Sequence, residues 1–179
     1  MTVEELKKHI RVVPDFPVKG IQFQDVTTLF KDKDCLSTML DMLYEEYKDK
    51  GITKVIGVES RGFLLGPALA VKLGAGFVLA RKKGKLPADT ICESYTKEYG
   101  TDIIEIHRDA ISEDDVCVIH DDLLATGGTT AAAWRLVQKF HPKKAYLSFI
   151  INLTDCPKLP EFPVEAPCHS LIEVIENPV

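Results

Sequence analysis

Apolar positions recur along this chain in two rhythms, short runs of strand length and stripes at helical spacing, and the two alternate. Thr2-Val-Glu-Glu5 has the form of a capping box, followed by Val3, Leu6 and Ile10 on one face of a short helix. Pro14 and Pro17 end that helix, and Ile21 and Phe23, alternating with Gln22 and Gln24, give a half-buried strand pattern. Leu36, Met39, Leu40, Leu43 and Tyr47 predict a core-facing helix that starts near Asp34 and is stopped by Gly51. A buried strand over Lys54–Val58 then leads to a helix carrying Phe63, Leu64, Leu65, Ala68 and Leu69. Pro67 within it demands a kink or a late start. Residues 76–81 read as the next strand. Over 88–109 the pattern weakens, with Ile104 and Ile106 alternating with Glu105 and His107 in a hairpin-like excursion. Strands at 116–119 and 145–151 flank a helix marked by Ala133, Leu136, Val137 and Phe140. Prolines 157, 160, 163 and 167 make the following stretch a loop, and 170–175 a last strand.

Strands alternating with helices predict an α/β fold with an open, mostly parallel sheet and flanking helices. At 179 residues the chain is expected to form a single domain, 1–179, with an ordinary 45% hydrophobic and 27% charged composition. Its apolar runs fall far short of a membrane span, and Glu4 and Glu5 do not suit a signal peptide. The five cysteines, without a Cys-x-x-Cys or Cys/His cluster, argue against a disulfide framework or zinc site and for a reducing, cytoplasmic setting. A net charge of −5 speaks against a general nucleic-acid binder. A polyanionic ligand would need local cations, and Arg81, Lys82, Lys83 and Lys85 cluster within five positions.

The chemistry concentrates in Val-Cys-Val-Ile-His-Asp-Asp-Leu-Leu-Ala-Thr-Gly-Gly-Thr, residues 116–129. A buried strand ends at two carboxylates, Asp121 and Asp122, and a small-residue loop leads into a helix. Such a loop aims backbone N–H groups and a helix N-terminus at one oxyanion. Gly127 and Gly128 permit the approach; Thr126 and Thr129 add hydroxyl donors. No Lys follows Thr129 as a P-loop requires, and no G-x-G-x-x-G is present. Two acids beside a phosphate must hold something else, either vicinal sugar hydroxyls or a bridging Mg²⁺. The stretch therefore reads as a site for a ribose 5-phosphate. Glu59-Ser-Arg-Gly62 repeats the plan of strand, polar turn and helix, with the planar fork of Arg61 suited to a diphosphate. Either turn alone could be a solvated cap or a surface salt bridge. Two in one chain favour a ligand site.

Asp-Asp-Leu-Leu-Ala-Thr-Gly-Gly-Thr resembles the 5-phosphoribosyl 1-pyrophosphate (PRPP) loop of the type I phosphoribosyltransferases, in the form of the adenine-specific members. The similarity runs from Phe16 to about Leu153. It implies a phosphoribosyltransferase-like sheet with a small N-terminal hood (about 1–33) and a flexible catalytic lid (88–109). The implied reaction transfers the phosphoribosyl group from PRPP to adenine, giving AMP and pyrophosphate. Ala125, Thr126, Gly127, Gly128 and Thr129 would bind the 5-phosphate, and Asp121 and Asp122 the ribose. Glu59, Ser60, Arg61, Arg81, Lys82 and Lys85 would hold pyrophosphate, with a cis Glu59–Ser60 peptide. Gln22, Phe23 and Gln24 would form the adenine site in the hood. Glu98 and Tyr99 of the lid would be catalytic. Mg²⁺ is the implied cofactor, bound mainly through pyrophosphate and water, without a direct protein ligand; the partners are adenine and PRPP, neither nucleic acid nor membrane, and a second copy in a homodimer. Gln24, where the family usually has Arg, and His120, where it has an aliphatic residue, depart from the pattern. The end of the chain matches poorly and is assigned no chemistry. Another base as substrate and a regulator that binds PRPP without turnover are the rival readings. Retention of Glu98 and the lack of room for a basic DNA-binding module favour the enzyme.

Overall fold

A computed structural model describes residues 1–97 and 100–175. The chain opens with helix α1 (Val3–Lys7), whose Thr2 cap and Glu5 form the expected reciprocal box. Strands β1 (Arg11–Pro14) and β2 (Gln22–Asp25) pair antiparallel as a separate two-stranded sheet, followed by α2 (Thr27–Lys31). Helix α3 (Lys33–Tyr47) starts at Asp32, whose carboxylate accepts from the amides of Asp34 and Cys35. It buries Cys35, Met39, Leu43 and Tyr47.

The main sheet comprises β3 (Lys54–Val58), β4 (Gly76–Lys82), β5 (Thr90–Lys97), β6 (Gly100–His107), β7 (Val116–Leu124), β8 (Lys144–Leu153) and β9 (Cys168–Val174). Their order is β5-β6-β4-β3-β7-β8-β9, with β4, β3, β7, β8 and β9 parallel and the β5–β6 hairpin antiparallel at one edge. Helix α4 (Gly66–Leu73) connects β3 to β4, and α5 (Gly128–Gln138) connects β7 to β8. The proline produces a late start, with Pro67 in the first turn of α4 and a 3₁₀ turn at Arg61–Phe63 before it.

Two apolar layers sandwich this sheet. Leu29, Met39, Leu43, Leu65 and Leu69 cover one face with Val55, Val118 and Ile150; Ala132, Ala133, Leu136 and Val137 of α5 cover the other with Ile56, Ile119 and Phe149. From β3 the chain steps to β4 on one side, and β7 then inserts on the other. This reversal opens a crevice between the C-terminal ends of β3 and β7, where α/β sheets bind ligands.

One expectation needs revision. The polar member of the β2 alternation faces inward: Gln24 is buried, its amide donating to the Gln22 carbonyl at 3.0 Å. Phe23 is half-buried and meets Phe16 edge-on at 5.1 Å. The segment 88–109 contains the β5–β6 hairpin that its alternation suggested, clasped to α5 where Arg135 and Lys139 meet Glu93 at 3.0 and 2.6 Å. Folding also brings His9, Asp32 and Cys35 together, their ligand atoms within 4.8 Å, a cluster with no signature in the sequence. Among the described residues no disulfide forms, and no helix is long and apolar enough to cross a membrane.

Candidate functional site

The crevice is a cleft of about 290 Å³ lined by Glu59, Ser60, Arg61 and Lys82 on one side and by Asp121, Asp122 and residues 125–130 on the other. Each wall follows from the strand beneath it. On its β3 side, β7 is paired through His120, while the β8 ladder continues to Leu124. The acid pair therefore lies on a stretch anchored along one edge and open to the cleft along the other. Against that open edge packs the 59–62 turn. A Cβ at Gly62 would stand 2.5 Å from the His120 carbonyl oxygen, so glycine is what lets the turn approach β7. The Glu59–Ser60 peptide is cis, as the resemblance implied.

Electrostatics divide the acids by role. Arg61 Nε lies 3.1 Å from Asp122 Oδ2, joining the two walls. The Asp121 carboxyl accepts from the Asp122 amide at 2.9 Å. Burial first, and the adjacent Asp122 charge second, push the Asp121 pKa well above the usual carboxylate range. Burial also raises Asp122, against the attraction of Arg61. Such a pair seeks hydroxyl donors or a cation. Glu59 behaves in the opposite way. Burial would raise its pKa, but the Lys82 amide at 2.8 Å and the Arg81 guanidinium at 3.2 Å outweigh it, and the net shift is downward. Its carboxylate thus ties the turn after β3 to the end of β4.

The opposite wall is made of backbone. Gly127, at φ +82°, is the N-cap of α5, and no side chain caps the helix. First-turn amides of an uncapped helix have no intrahelical partner, and here they border the cleft. The helix dipole adds a partial positive charge at the same spot.

Of the residues anticipated for anion and sugar binding, Glu59, Ser60, Arg61, Lys82, Asp121, Asp122 and all of 125–129 converge on this cleft. Arg81 and Lys85 do not line it; Arg81 is turned to Glu59 and donates to the Lys85 carbonyl at 3.3 Å. Gln22, Phe23 and Gln24 stay in the hood and do not line it either. Glu98 and Tyr99 lie outside the described residues. Tyr95, Leu123 and Thr130 line the cleft without having been foreseen. Tyr95 is two residues from Glu93, the residue clasped by α5, so strand alternation would have placed both on one face. His120 is fully buried, its Nδ1 3.1 Å from Ser148 Oγ, and burial lowers its pKa to about 4. This is a neutral core histidine behind the acids.

An acid pair and two anion turns at a sheet switch point define a phosphoribosyltransferase domain, and the family model described as "Phosphoribosyl transferase domain" matches residues 27–170. An adenine phosphoribosyltransferase from Phocaeicola vulgatus is 59% identical over 172 residues, 96% of this chain and 99% of that protein. The crystal structure of adenine phosphoribosyltransferase from Rhodothermus marinus superposes with a TM-score of 0.88 at 47% identity, covering 96% of this chain and 98% of that one. The Saccharomyces cerevisiae enzyme, solved with an imino-altritol bisphosphate and adenine, gives 0.87 at 37%, covering 95% and 98%. The chain belongs to the adenine phosphoribosyltransferase family of enzymes.

Proposed function

We propose that the protein transfers the 5-phosphoribosyl group of PRPP to adenine, releasing AMP and pyrophosphate, as a homodimer in the cytoplasm. The observation that carries this reading is the convergence of a backbone anion loop, an acid pair and an arginine turn on one cleft. In this account the amides and hydroxyls of 126–129 hold the 5-phosphate, and Asp121 and Asp122 accept from the ribose hydroxyls. Arg61 and Lys82 take the pyrophosphate, with Ser60 beside them. Glu59 and Arg81 act through the frame they build rather than by contact, and Lys85 supplies charge from outside the cleft.

As the bond from ribose C1′ to pyrophosphate lengthens, positive charge grows on the sugar and negative charge on the leaving group. A base nitrogen then attacks from the opposite face. The protein's part is to hold both reactants in line and to meet the developing charge on pyrophosphate with Arg61 and Lys82. Mg²⁺, when bound, would supply positive charge to the leaving group, and Asp121 and Asp122 on the cleft wall are the acids that would face it or its water shell. Glu98, by the family resemblance, hydrogen-bonds the purine ring, with Tyr99 near the ribose. Adenine itself is assigned to the hood, where the backbone of 22–24 and the Phe23 ring read the base.

A panel of bases with PRPP and Mg²⁺, followed by pyrophosphate release, tests the proposal. Adenine should turn over while hypoxanthine, guanine and uracil remain largely unused. Comparable turnover of a 6-oxopurine would reject the substrate, and PRPP binding without turnover of any base would reject the enzyme.

A further inference from the structure

The stretch between β8 and β9, which carries four prolines and no recognisable motif, packs on the anion loop from behind. Its Leu159 amide donates to the Thr126 carbonyl at 2.9 Å. A Cβ placed on Gly127 would stand 2.5 Å from Cδ2 of the Phe162 ring, and one on Gly128 would stand 3.1 Å from the Leu159 side chain. Three consecutive residues of the loop are therefore touched by one turn, closed by the Phe162 amide on the Leu159 carbonyl at 2.9 Å.

The turn is itself held at both ends. Lys158 Nζ donates to the carbonyls of Leu153 and Cys156 at 2.9 and 3.1 Å, and the Pro167 carbonyl accepts from the Leu147 amide at 2.8 Å. The Phe162 ring also packs against the apolar layer formed by α5 and the sheet.

A loop that binds an anion through backbone N–H groups must have its peptide planes fixed beforehand, since reorienting them on binding would cost affinity. Gly127 and Gly128 are the residues least able to fix themselves. A carbonyl engaged on the far side of the loop orients the peptide so that its N–H faces the cleft, and an aromatic ring against Gly127 blocks movement away from it.

We propose that the Leu159–Phe162 turn is a positioning element for the phosphate loop, with Phe162 a positioning residue for the ligand's phosphomonoester. This rests on reading the cleft as the PRPP and AMP site. A ring that fills the space behind Gly127 supports affinity for the phosphate end of the ligand and leaves the pyrophosphate turn untouched.

The test compares Phe162→Ala, Phe162→Leu and the parent by titration calorimetry with AMP and with inorganic pyrophosphate, and by KM for PRPP and for adenine. Phe162→Ala should weaken AMP and raise KM for PRPP by about tenfold, with pyrophosphate affinity and KM for adenine within about twofold. Phe162→Leu should recover most of the loss. If Phe162→Ala is recovered poorly, Leu159→Ala, which removes the contact on Gly128, should show the same selective loss at about threefold. A variant that melts earlier yet keeps parental AMP affinity, or that loses AMP and pyrophosphate equally, overturns the proposal. A parent protein that binds neither AMP nor PRPP would instead overturn the reading of the cleft.

Discussion

The two anion turns of this molecule share a plan and differ in material. The turn after β3 works with charge: Arg61 faces Asp122, Glu59 gathers Arg81 and the Lys82 amide, and Gly62 serves to bring them against β7. The loop after β7 has no charged residue between Ala125 and Thr130; it offers glycines, hydroxyls and an uncapped helix end, braced from behind by Leu159 and Phe162. The difference fits the two ends of one ligand. A leaving group that gains charge needs mobile, strong counter-charges, whereas a phosphomonoester that only anchors needs a fixed cradle. The acid pair stands between them and belongs to both.

Removing that shared element should have the largest effect. Asp121→Asn combined with Asp122→Asn is expected to weaken PRPP by a factor on the order of 10²–10³, the range for losing two charge-assisted hydrogen-bonding groups, with KM for adenine little changed. Equal loss for both substrates would show that the pair does not face the sugar. Arg61→Ala should lower pyrophosphate affinity by roughly 10- to 100-fold, the loss of a bidentate charged contact, and push the Asp122 pKa further up. Gly127→Ala meets both φ +82° and the Phe162 ring, so it should lower stability by about 1–3 kcal/mol and AMP affinity by about tenfold. Melting temperature and AMP titration measure the two.

His120→Val should leave turnover nearly unchanged and alter only the response to acid. The histidine pKa falls from its ordinary 6.5 to about 4 in the fold, so between these values the unfolded chain binds the extra proton. Stability from this group is present above pH 6.5 and declines by about 3 kcal/mol as the pH falls toward 4. Urea unfolding of parent and variant across that window should show a decline steeper in the parent than in the variant. Parallel curves would mean that burial does not govern this histidine.

Much of this was legible in the residues. Strand and helix order, the turn at 59–62 and the loop at 125–129 followed from apolar periodicity broken by short polar stretches, because burial on two faces of a parallel sheet leaves that imprint. Pro67 demanded a kink or a late start, and α4 takes the late start. What escaped was set by tertiary contact. Gln24 is packed inward against the alternation, its amide donating to the Gln22 carbonyl. Glu105, a polar member of the 104–107 alternation, sits buried and accepts from the Gly84 amide at 3.0 Å. The bracing turn left no trace because Leu159 and Phe162 act on residues more than thirty positions away, and nothing in a proline-rich loop advertises its partner. Tyr95 reached the cleft through the hairpin that α5 clasps, a placement set by the Glu93 ion pairs.

The division of labour between the two turns is tested most directly by a crossed titration. AMP and pyrophosphate are each titrated by calorimetry into the parent, Arg61→Ala and Gly127→Ala. The account predicts opposite selectivity: Arg61→Ala loses pyrophosphate and keeps AMP within about threefold, and Gly127→Ala loses AMP and keeps pyrophosphate within the same margin. If both variants weaken both ligands to a similar extent, the cleft is one undivided anion site and the separate roles of its two turns are wrong.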